Sequence, residues 1–549
     1  MIPIILCLAF ATSTPPATPA LPEPPAWQQP ALRPVALSDF SWTDDRRGRE
    51  LPLRLRLPQG KETAPVLLLS HGLGGSREGI AYLAEHLAAR GWICLSLQHP
   101  GSDESIWQGQ APRDILAKFQ KALKDPRQAI ARAEDVRFVL DRLAVEAKNP
   151  ASPLFGRVDL TRCALAGHSF GAWTATACAG RQTAGPRGDN GGGALGEPRL
   201  KAAIALSPQG QETAELERAA SAGIFLPVLH ITGGKDSSPV QKEMSPERRR
   251  LCFDTSPEAA GNRALLWFDV GDHMVFNGGG NEGLRGRRRD ASHDAAIQAR
   301  VMEASALFLA AEVLSDAAAR RALREGRLQA LMQGEGQAET RLLSPLAAEA
   351  RLLLGRIETS KYRHGPQNFL WPEGGRAGQA EGDCSGFVDA LLRRCHPQLA
   401  DQLRRGKGGK RPLAADFAAV IRDKRGFLPV ERIGEIRPGD LLAASYEEGA
   451  EVTGHVMIAD GPALLRRDDT PPLLPGSRQW LIPVIDSSSA PHGPGDSRQE
   501  GRDGLGRGLL RLYADAEGRI TAWSWSSLKA SKLYLPAERP LVVGRVEEQ

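Results

Sequence analysis

Apolar residues fall into two repeating patterns along most of this chain. Between about positions 35 and 330, short apolar runs at 66–70, 93–97, 163–166, 202–206, 228–232 and 265–268 are separated by longer mixed segments. Of these, 126–146 carries Ile130, Ala133, Val136, Val139, Leu140 and Leu143 at the spacing of one helix face, and 78–90 reads as a helix too. Strands separated by helices predict a mostly parallel sheet with helices on both faces. An Ala/Arg/Leu-rich helical stretch over 294–332 closes this unit, and 334–344, opening GEGQA, reads as a linker. Residues 345–549 begin with helical patterns and end in several short β-like runs, an α+β order. The patterning thus predicts one domain over 35–333 and another over 345–549, with no internal repeat.

Ahead of them, residues 2–11 (IPIILCLAFA) form an apolar run too short to span a bilayer, ending in a small-x-small pattern. This fits a secretory leader, although no basic residue precedes it. Residues 14–34 are Pro-rich and favour an extended spacer. The expectation is export to a periplasm, cell envelope or exterior, with a cytoplasmic location as the alternative. At 549 residues and 41% hydrophobic, the chain has ample material for two cores. No apolar run long enough for a membrane helix follows the N-terminus, so no stable membrane span is expected. The balance of 70 basic against 65 acidic residues, net +5, gives no argument for nucleic acid. Seven cysteines without a C-x-x-C pair make neither a zinc site of usual spacing nor a disulfide scaffold. The glycine-rich stretch at 185–196 lacks the Lys-Ser/Thr of a phosphate cradle and reads as a surface insertion. The arginine runs at 248–250 and 287–289 read as solvated loops.

Chemistry enters at Gly167-His168-Ser169-Phe170-Gly171, between the 163–166 run and a small-residue helical segment. A serine there sits on a sharp strand-to-helix turn that lifts its hydroxyl to the C-terminal edge of the sheet. The hydroxyl needs a base and the base a carboxylate, in the chain order Ser, Asp, His on such a scaffold. Asp236 closes VLHITGGKD and His273 closes FDVGDH; both fall just past strand-like runs, where catalytic loops gather. Asp269 and Asp272 compete with Asp236. Among other histidines, His168 is expected to point away from Ser169, His230 to pack in the core, and His293 to open a helix. His71 and His99 precede the serine, against the expected order. The amides of Leu73, in His71-Gly72-Leu73-Gly74-Gly75, and of Phe170 are available to a developing oxyanion.

The pieces at 65–103 (PVLLLSHGLGG to LSLQHPGSD), GHSFGAWTA and GDHMVFNGG resemble the platelet-activating-factor acetylhydrolase and predicted dienelactone-hydrolase branch of the α/β-hydrolases, over about 66–279. The resemblance implies an α/β hydrolase fold and hydrolysis of carboxylic esters, often with short acyl groups. Dienelactone hydrolases use a cysteine nucleophile; Ser169 departs from that, so a lactone substrate is not carried over.

A second constellation begins at Asp383-Cys384-Ser385-Gly386-Phe387-Val388, which reads as a helix start. A thiol in the first turn feels the positive end of the helix, which favours the reactive thiolate. Cys395, three turns on, lacks that advantage and reads as packing. His455 opens the strand-like GHVMIA, and Asp486 ends QWLIPVID, so neighbouring strands can bring His455 to Cys384 and Asp486 behind it. DCSGFV, RPGDLL, GHVMIAD and VIDSSS, over about 362–489, resemble the NlpC-type cell-wall peptidases, a papain-like group. That resemblance implies a Cys–His–polar triad cutting peptide bonds in peptidoglycan stems. The third position is commonly His in that family; here it is Asp486, with His492 as an alternative orienter. Tyr362 matches the family's tyrosine before the cysteine, at a longer spacing, and 365–381 reads as an insertion reshaping the groove.

Together the two sets imply a two-domain hydrolase, a serine carboxylesterase fused to a cysteine peptidase, in a bacterial cell envelope. The implied partners are an ester substrate and a cell-wall peptide, and neither set requires a cofactor or metal. The sequence leaves the oligomeric state open. It also leaves open a binding protein with one or both sites inactive, or a C-terminal acyltransferase.

Overall fold

The computed structural model describes residues 32–547, apart from positions 124, 183–194, 225, 239, 242, 257–260, 280–289, 373–375, 447–451, 467–473 and 499–501. The leader at 2–11, most of the Pro-rich spacer, most of the glycine-rich stretch at 185–196 and the arginine run at 287–289 lie outside the described residues.

Nine strands build the first sheet: β1 (Val35–Asp44), β2 (Arg49–Pro58), β3 (Ala64–Ser70), β4 (Ile93–Leu97), β5 (Val158–His168), β6 (Leu200–Leu206), β7 (Val228–Lys235), β8 (Arg263–Asp272) and β9 (Gly336–Arg341). Their spatial order is β1-β2-β4-β3-β5-β6-β7-β8-β9. The stretch from β4 to β8 is parallel, while β1, β2 and β9 join antiparallel. Each apolar run read from the sequence lies inside one of the parallel strands. The β2 strand has no continuous run, because its buried Leu51, Leu53 and Leu55 alternate with polar or half-buried positions.

Helices α1 (Ala81–Ala88), α2 (Pro112–Leu123), α3 (Pro126–Glu146), α4 (Phe170–Cys178), α5 (Ala214–Ser221), α6 (Pro246–Asp254), α7 (Asp294–Glu312), α8 (Ala317–Arg324) and α9 (Arg327–Met332) complete this unit. Strand residues divide between two cores by alternation. Leu67, Leu69 and Cys94 pack with α1 and α7, whereas Val66, Leu68 and Ile93 pack with α3 and α4.

Two expectations are corrected here. The helical stretch read over 294–332 is three helices, broken where Ser315 and Gly326 take left-handed φ values of 61° and 76°. Asp316 restarts the chain as the cap of α8, accepting from the Ala319 amide at 2.8 Å. The 334–344 linker contains β9, paired antiparallel with β8. An edge strand of sequence GQAETR buries little, so it leaves no apolar pattern. Arg341 fixes its end by donating to the carbonyls of Phe253 and Asp254 at 3.1 and 2.9 Å.

The second unit starts at α10 (Pro345–Gly355). A small sheet of β10 (Ile357–Lys361), β11 (Asn368–Leu370) and β12 (Gly378–Glu381) occupies much of the segment read as an insertion. Then come α11 (Cys384–Cys395), α12 (Pro397–Arg405) and α13 (Ala414–Arg422). The larger sheet holds β13 (Phe427–Pro429), β14 (Leu441–Ser445), β15 (Gly454–Ala459), β16 (Leu464–Leu465), β17 (Arg478–Ser488), β18 (Gly504–Ala514), β19 (Ile520–Ser524), β20 (Leu533–Tyr534) and β21 (Leu541–Val546). Its order is β13-β21-β14-β15-β17-β18-β19-β20, antiparallel throughout, with β16 on β17. Phe387, Leu391, Phe417 and Ile421 of α11 and α13 pack on Leu441, Ala443, Val456 and Ile458. Glu349 of α10 joins the two units through Arg320 of α8 at 3.1 Å and Arg394 of α11 at 2.7 Å. No helix among the described residues is long and apolar enough to cross a membrane.

A fragment ending at 344 keeps β9, whereas one ending at 333 uncovers the edge of β8. The longer fragment is expected to show the higher thermal midpoint by calorimetry; equal midpoints would show that β9 contributes nothing.

Candidate active sites

Ser169 stands between β5 and α4 with φ 54° and ψ −112°, backbone that residues other than glycine seldom adopt. Two glycines permit the turn: a Cβ on Gly167 would strike the Gly171 carbonyl, and one on Gly171 would strike that of Ser70. The Ser169 amide donates to the Leu206 carbonyl at 2.8 Å, tying the turn to β6. Ser169 itself remains only half-buried.

Asp236 and His273, at the ends of β7 and β8, meet directly. His273 Nδ1 donates to Asp236 Oδ1 at 2.8 Å, and Thr232 donates to Oδ2 at 2.8 Å. Arg249 of α6, 1% exposed, closes this node. Its Nε lies 3.0 Å from Asp236 Oδ1 and donates to the Asp236 carbonyl at 2.7 Å. Its Nη1 donates to the carbonyls of Ser207 and Pro208 at 2.8 and 3.1 Å. Nη2 lies 3.1 Å from His273 Nδ1. Because that nitrogen already gives its proton to Asp236, Nη2 acts there as a charge rather than a hydrogen-bond partner.

Burial, and then the Arg249 charge, hold the His273 pKa below its ordinary value, leaving a neutral ring able to accept a proton. Burial opposes the Asp236 charge, but Arg249 and His273 outweigh it and keep the carboxyl below the usual range. Asp272 instead accepts from the amides of Met274 and Val275, at 3.0 and 2.9 Å, and Asp269 is exposed. His168 packs against His273. Its Nε2 donates to the His273 carbonyl at 2.9 Å, with the two rings 4.7 Å apart. His230 is buried beside Phe253, and His293 precedes α7 near Glu335.

The Leu73 and Phe170 amides have no acceptor among the described residues. A Cβ on Gly72 would lie 3.5 Å from Ser169 Cβ, which places the Leu73 loop beside the nucleophile. A cavity of about 400 Å³ opens between this loop and the segment after His273, lined by Gly74, Ser76, Glu78, Glu104, Trp107 and Asn277 among others.

In the second unit, Asp383 caps α11 by accepting from the Gly386 amide at 2.7 Å, which leaves Cys384 at the first helical position. Cys384 and His455 are both buried, and the thiol lies near enough to raise the His455 pKa. His455 Nε2 donates to Asp486 Oδ2 at 2.5 Å, and Arg498 donates to Oδ1 at 2.9 Å. His492 sits behind the carboxylate: its Nε2 is 3.0 Å from Asp486 Oδ2 and its Nδ1 2.7 Å from the Trp525 carbonyl. Both of its nitrogens thus face oxygens, and neither faces His455. Of the two orienters read from the sequence, Asp486 is therefore the one against His455.

Burial disfavours the imidazolium of His455, yet the adjacent Cys384, followed by the hydrogen bond to Asp486, carries its pKa up to about 10. Burial works against the Asp486 charge as well, but His492 and Arg498 keep that carboxyl far below the usual range. These shifts favour an imidazolium at His455 against an ionised Asp486. Burial, and then Cys384, push the Tyr362 hydroxyl above its ordinary range, and that hydroxyl lies 3.4 Å from His364 Nε2. His455, Asp486 and His492 also form a group whose ligand atoms lie within 4.8 Å of one another, spacing compatible with a metal ion. Hydrogen bonds already satisfy these atoms.

No protein-family model matches the chain. Over 175 residues it is 32% identical to an uncharacterized protein of Acanthamoeba polyphaga mimivirus, a match spanning 30% of this chain and 77% of the viral one. The chain belongs to that protein's family. This kinship assigns no reaction, so the chemistry rests on the residues themselves.

The sequence reading missed the arginines. Arg249 was expected on a solvated loop, but Ser245-Pro246, a cap followed by proline, starts a helix there and turns Arg249 inward. Arg498 lies in a loop without periodicity, where no sequence signal marks it.

Two outcomes follow from these contacts. Arg249→Met removes a cation beside His273, so the base protonates at higher pH. The His273 ring should titrate about 1 unit higher by NMR, with a stability loss of about 3–5 kcal/mol by denaturant titration. The His455 ion pair stabilises fully below pH 6.5 and fades as pH rises through about 10. Asp486→Asn should lower the pH at which the His455 ring loses its proton by about 1–3 units, read by NMR; an unmoved titration would exclude Asp486 as a partner that holds the imidazolium.

Proposed function

We propose that this chain is a two-headed hydrolase of the cell envelope. Its first domain acts as a serine carboxylesterase of the α/β-hydrolase type, and its second as a papain-like, NlpC-type cysteine peptidase on peptidoglycan stem peptides. The observation that carries this reading is that each candidate imidazole is braced by its own buried carboxylate, Asp236 on His273 at 2.8 Å and Asp486 on His455 at 2.5 Å. Serine after β5, aspartate after β7 and histidine after β8 of a parallel sheet supports the esterase assignment. A thiol at a helix N-terminus, packed on neighbouring antiparallel strands that carry the imidazole and carboxylate, supports the peptidase.

In the esterase, His273 takes the Ser169 proton as Oγ attacks the ester carbonyl, and the Leu73 and Phe170 amides receive the oxyanion. The imidazolium returns that proton to the departing alkoxide, and water then releases the acid. In the peptidase, the Cys384 thiolate attacks the amide carbonyl, and His455 protonates the leaving amine.

A fluorophosphonate should label Ser169 and iodoacetamide Cys384, each lost in the corresponding alanine variant. Ser169→Ala should lower ester turnover by about 10³-fold or more, while Cys384→Ala should abolish peptide release from purified peptidoglycan, read by mass spectrometry. A wild-type protein taking up neither probe would sink the proposal.

A further inference from the structure

Beneath the Leu73 loop lies a second serine–histidine–aspartate chain, sealed from solvent. Ser70 Oγ is 2.9 Å from His99 Nε2, and His99 Nδ1 is 2.9 Å from Asp135 Oδ2. All three residues are 0% exposed, so no substrate reaches them.

Chemistry dictates the direction of every bond in this cluster. A carboxylate only accepts, so His99 Nδ1 carries the proton and Nε2 receives the Ser70 hydroxyl. Arg49 holds the same carboxylate through Nε and Nη2 at 2.8 and 2.9 Å. The His99 amide donates to His71 Nε2 at 3.0 Å, which leaves the His71 proton on Nδ1. From there it goes to the Gly72 carbonyl at 2.6 Å. The Gly75 amide at 3.1 Å and Arg132 Nη2 at 3.5 Å serve that same carbonyl. Arg132 is fully buried and also donates to the His71 carbonyl at 2.7 Å and to Ser102 Oγ at 2.9 Å.

The Gly72 carbonyl and the Leu73 amide belong to one peptide unit, and the chain contains no cis bond among the described residues. In a trans peptide the two groups point in opposite directions. Three donors clamping the carbonyl on the His71–Arg132 side therefore turn the Leu73 N–H to the other side. That amide has no acceptor among the described residues, and Gly72 borders Ser169.

We infer that His99 and Arg132 are positioning residues for the oxyanion donor, acting through His71 and the Gly72–Leu73 peptide. This inference rests on the esterase reading. Pre-aimed donors act on the transition state and not on the bound ester, so their loss lowers kcat and spares KM.

The test uses the full chain, a 4-nitrophenyl ester and a trifluoromethyl ketone, whose adduct with Ser169 carries an oxyanion. Arg132→Met and His99→Leu are expected to lower kcat by about 10²–10³-fold with KM little changed, and to weaken the ketone by a similar factor. His99→Gln, whose side-chain amide can still reach Ser70, should restore most of the loss. Alkylation of Cys384 should stay at the wild-type rate in every variant. Unchanged kcat in folded His99→Leu, or ketone affinity that stays constant while kcat and thermal midpoint fall together, overturns the inference. Should His99→Leu fail to fold, full ketone affinity in a folded Arg132→Met would overturn it as well. A wild-type protein that neither hydrolyses the ester nor binds the ketone removes the esterase reading itself, and this inference with it.

Discussion

A carboxylate withdrawn from water must be met by donors on every side, and this constraint organises both candidate sites. Asp135, Asp236 and Asp486 are each fully buried. Each is held by an imidazole and a guanidinium: His99 with Arg49, His273 with Arg249, His455 with Arg498. The aspartate–histidine contacts bridge 36, 37 and 31 positions of sequence, respectively. Each therefore fixes a connection that only the folded chain can make. A buried charge left without its partner costs about 3–5 kcal/mol, so these nodes bind the loops around each pocket to the sheet behind it.

The three nodes share a chemistry but differ in what stands at their open end. Ser70 closes the first and is sealed, leaving a rigid brace. Ser169, the candidate nucleophile of the second, sits on strained backbone and stays half-exposed. Cys384 closes the third at the start of α11, where the helix end favours a negative sulfur. The same hydrogen-bonded unit is thus sealed in one place and set beside a candidate nucleophile in the others. Access and backbone strain separate the two uses.

Much of this was legible in the sequence, and the limits have physical causes. The parallel strands showed as apolar runs because both faces of their sheet are covered. Ser169, Cys384 and their partners stood at turns whose glycines and caps constrain the local backbone, so short motifs marked them. The arginines did not, because a charged residue announces burial only through a partner distant in sequence. Arg249 looked solvated within a run of three, although its helix turns it toward Asp236. The Ser70–His99–Asp135 chain was invisible for the same reason, and His99 was set aside on chain order alone. β9 escaped because an edge strand needs only backbone hydrogen bonds, which composition does not record.

The two working imidazoles carry the same carboxylate contact and yet shift in opposite directions. Arg249 adds a cation beside His273, and burial adds to it, so the ring rests neutral. Cys384 offers His455 a group that can become an anion, and the ring rests charged despite its burial. The difference follows from the nucleophiles. A serine hydroxyl holds its proton until attack, so its base must arrive empty; a thiol near a helix N-terminus gives its proton up beforehand, so its partner must already hold it. An aspartate behind the ring is common to both and cannot set this choice. The third charge sets it: a guanidinium against Nδ1 in one site, an incipient thiolate in the other. Exchanging Ser169 for cysteine would leave Arg249 against His273, whereas exchanging Cys384 for serine would remove the group that holds His455 charged.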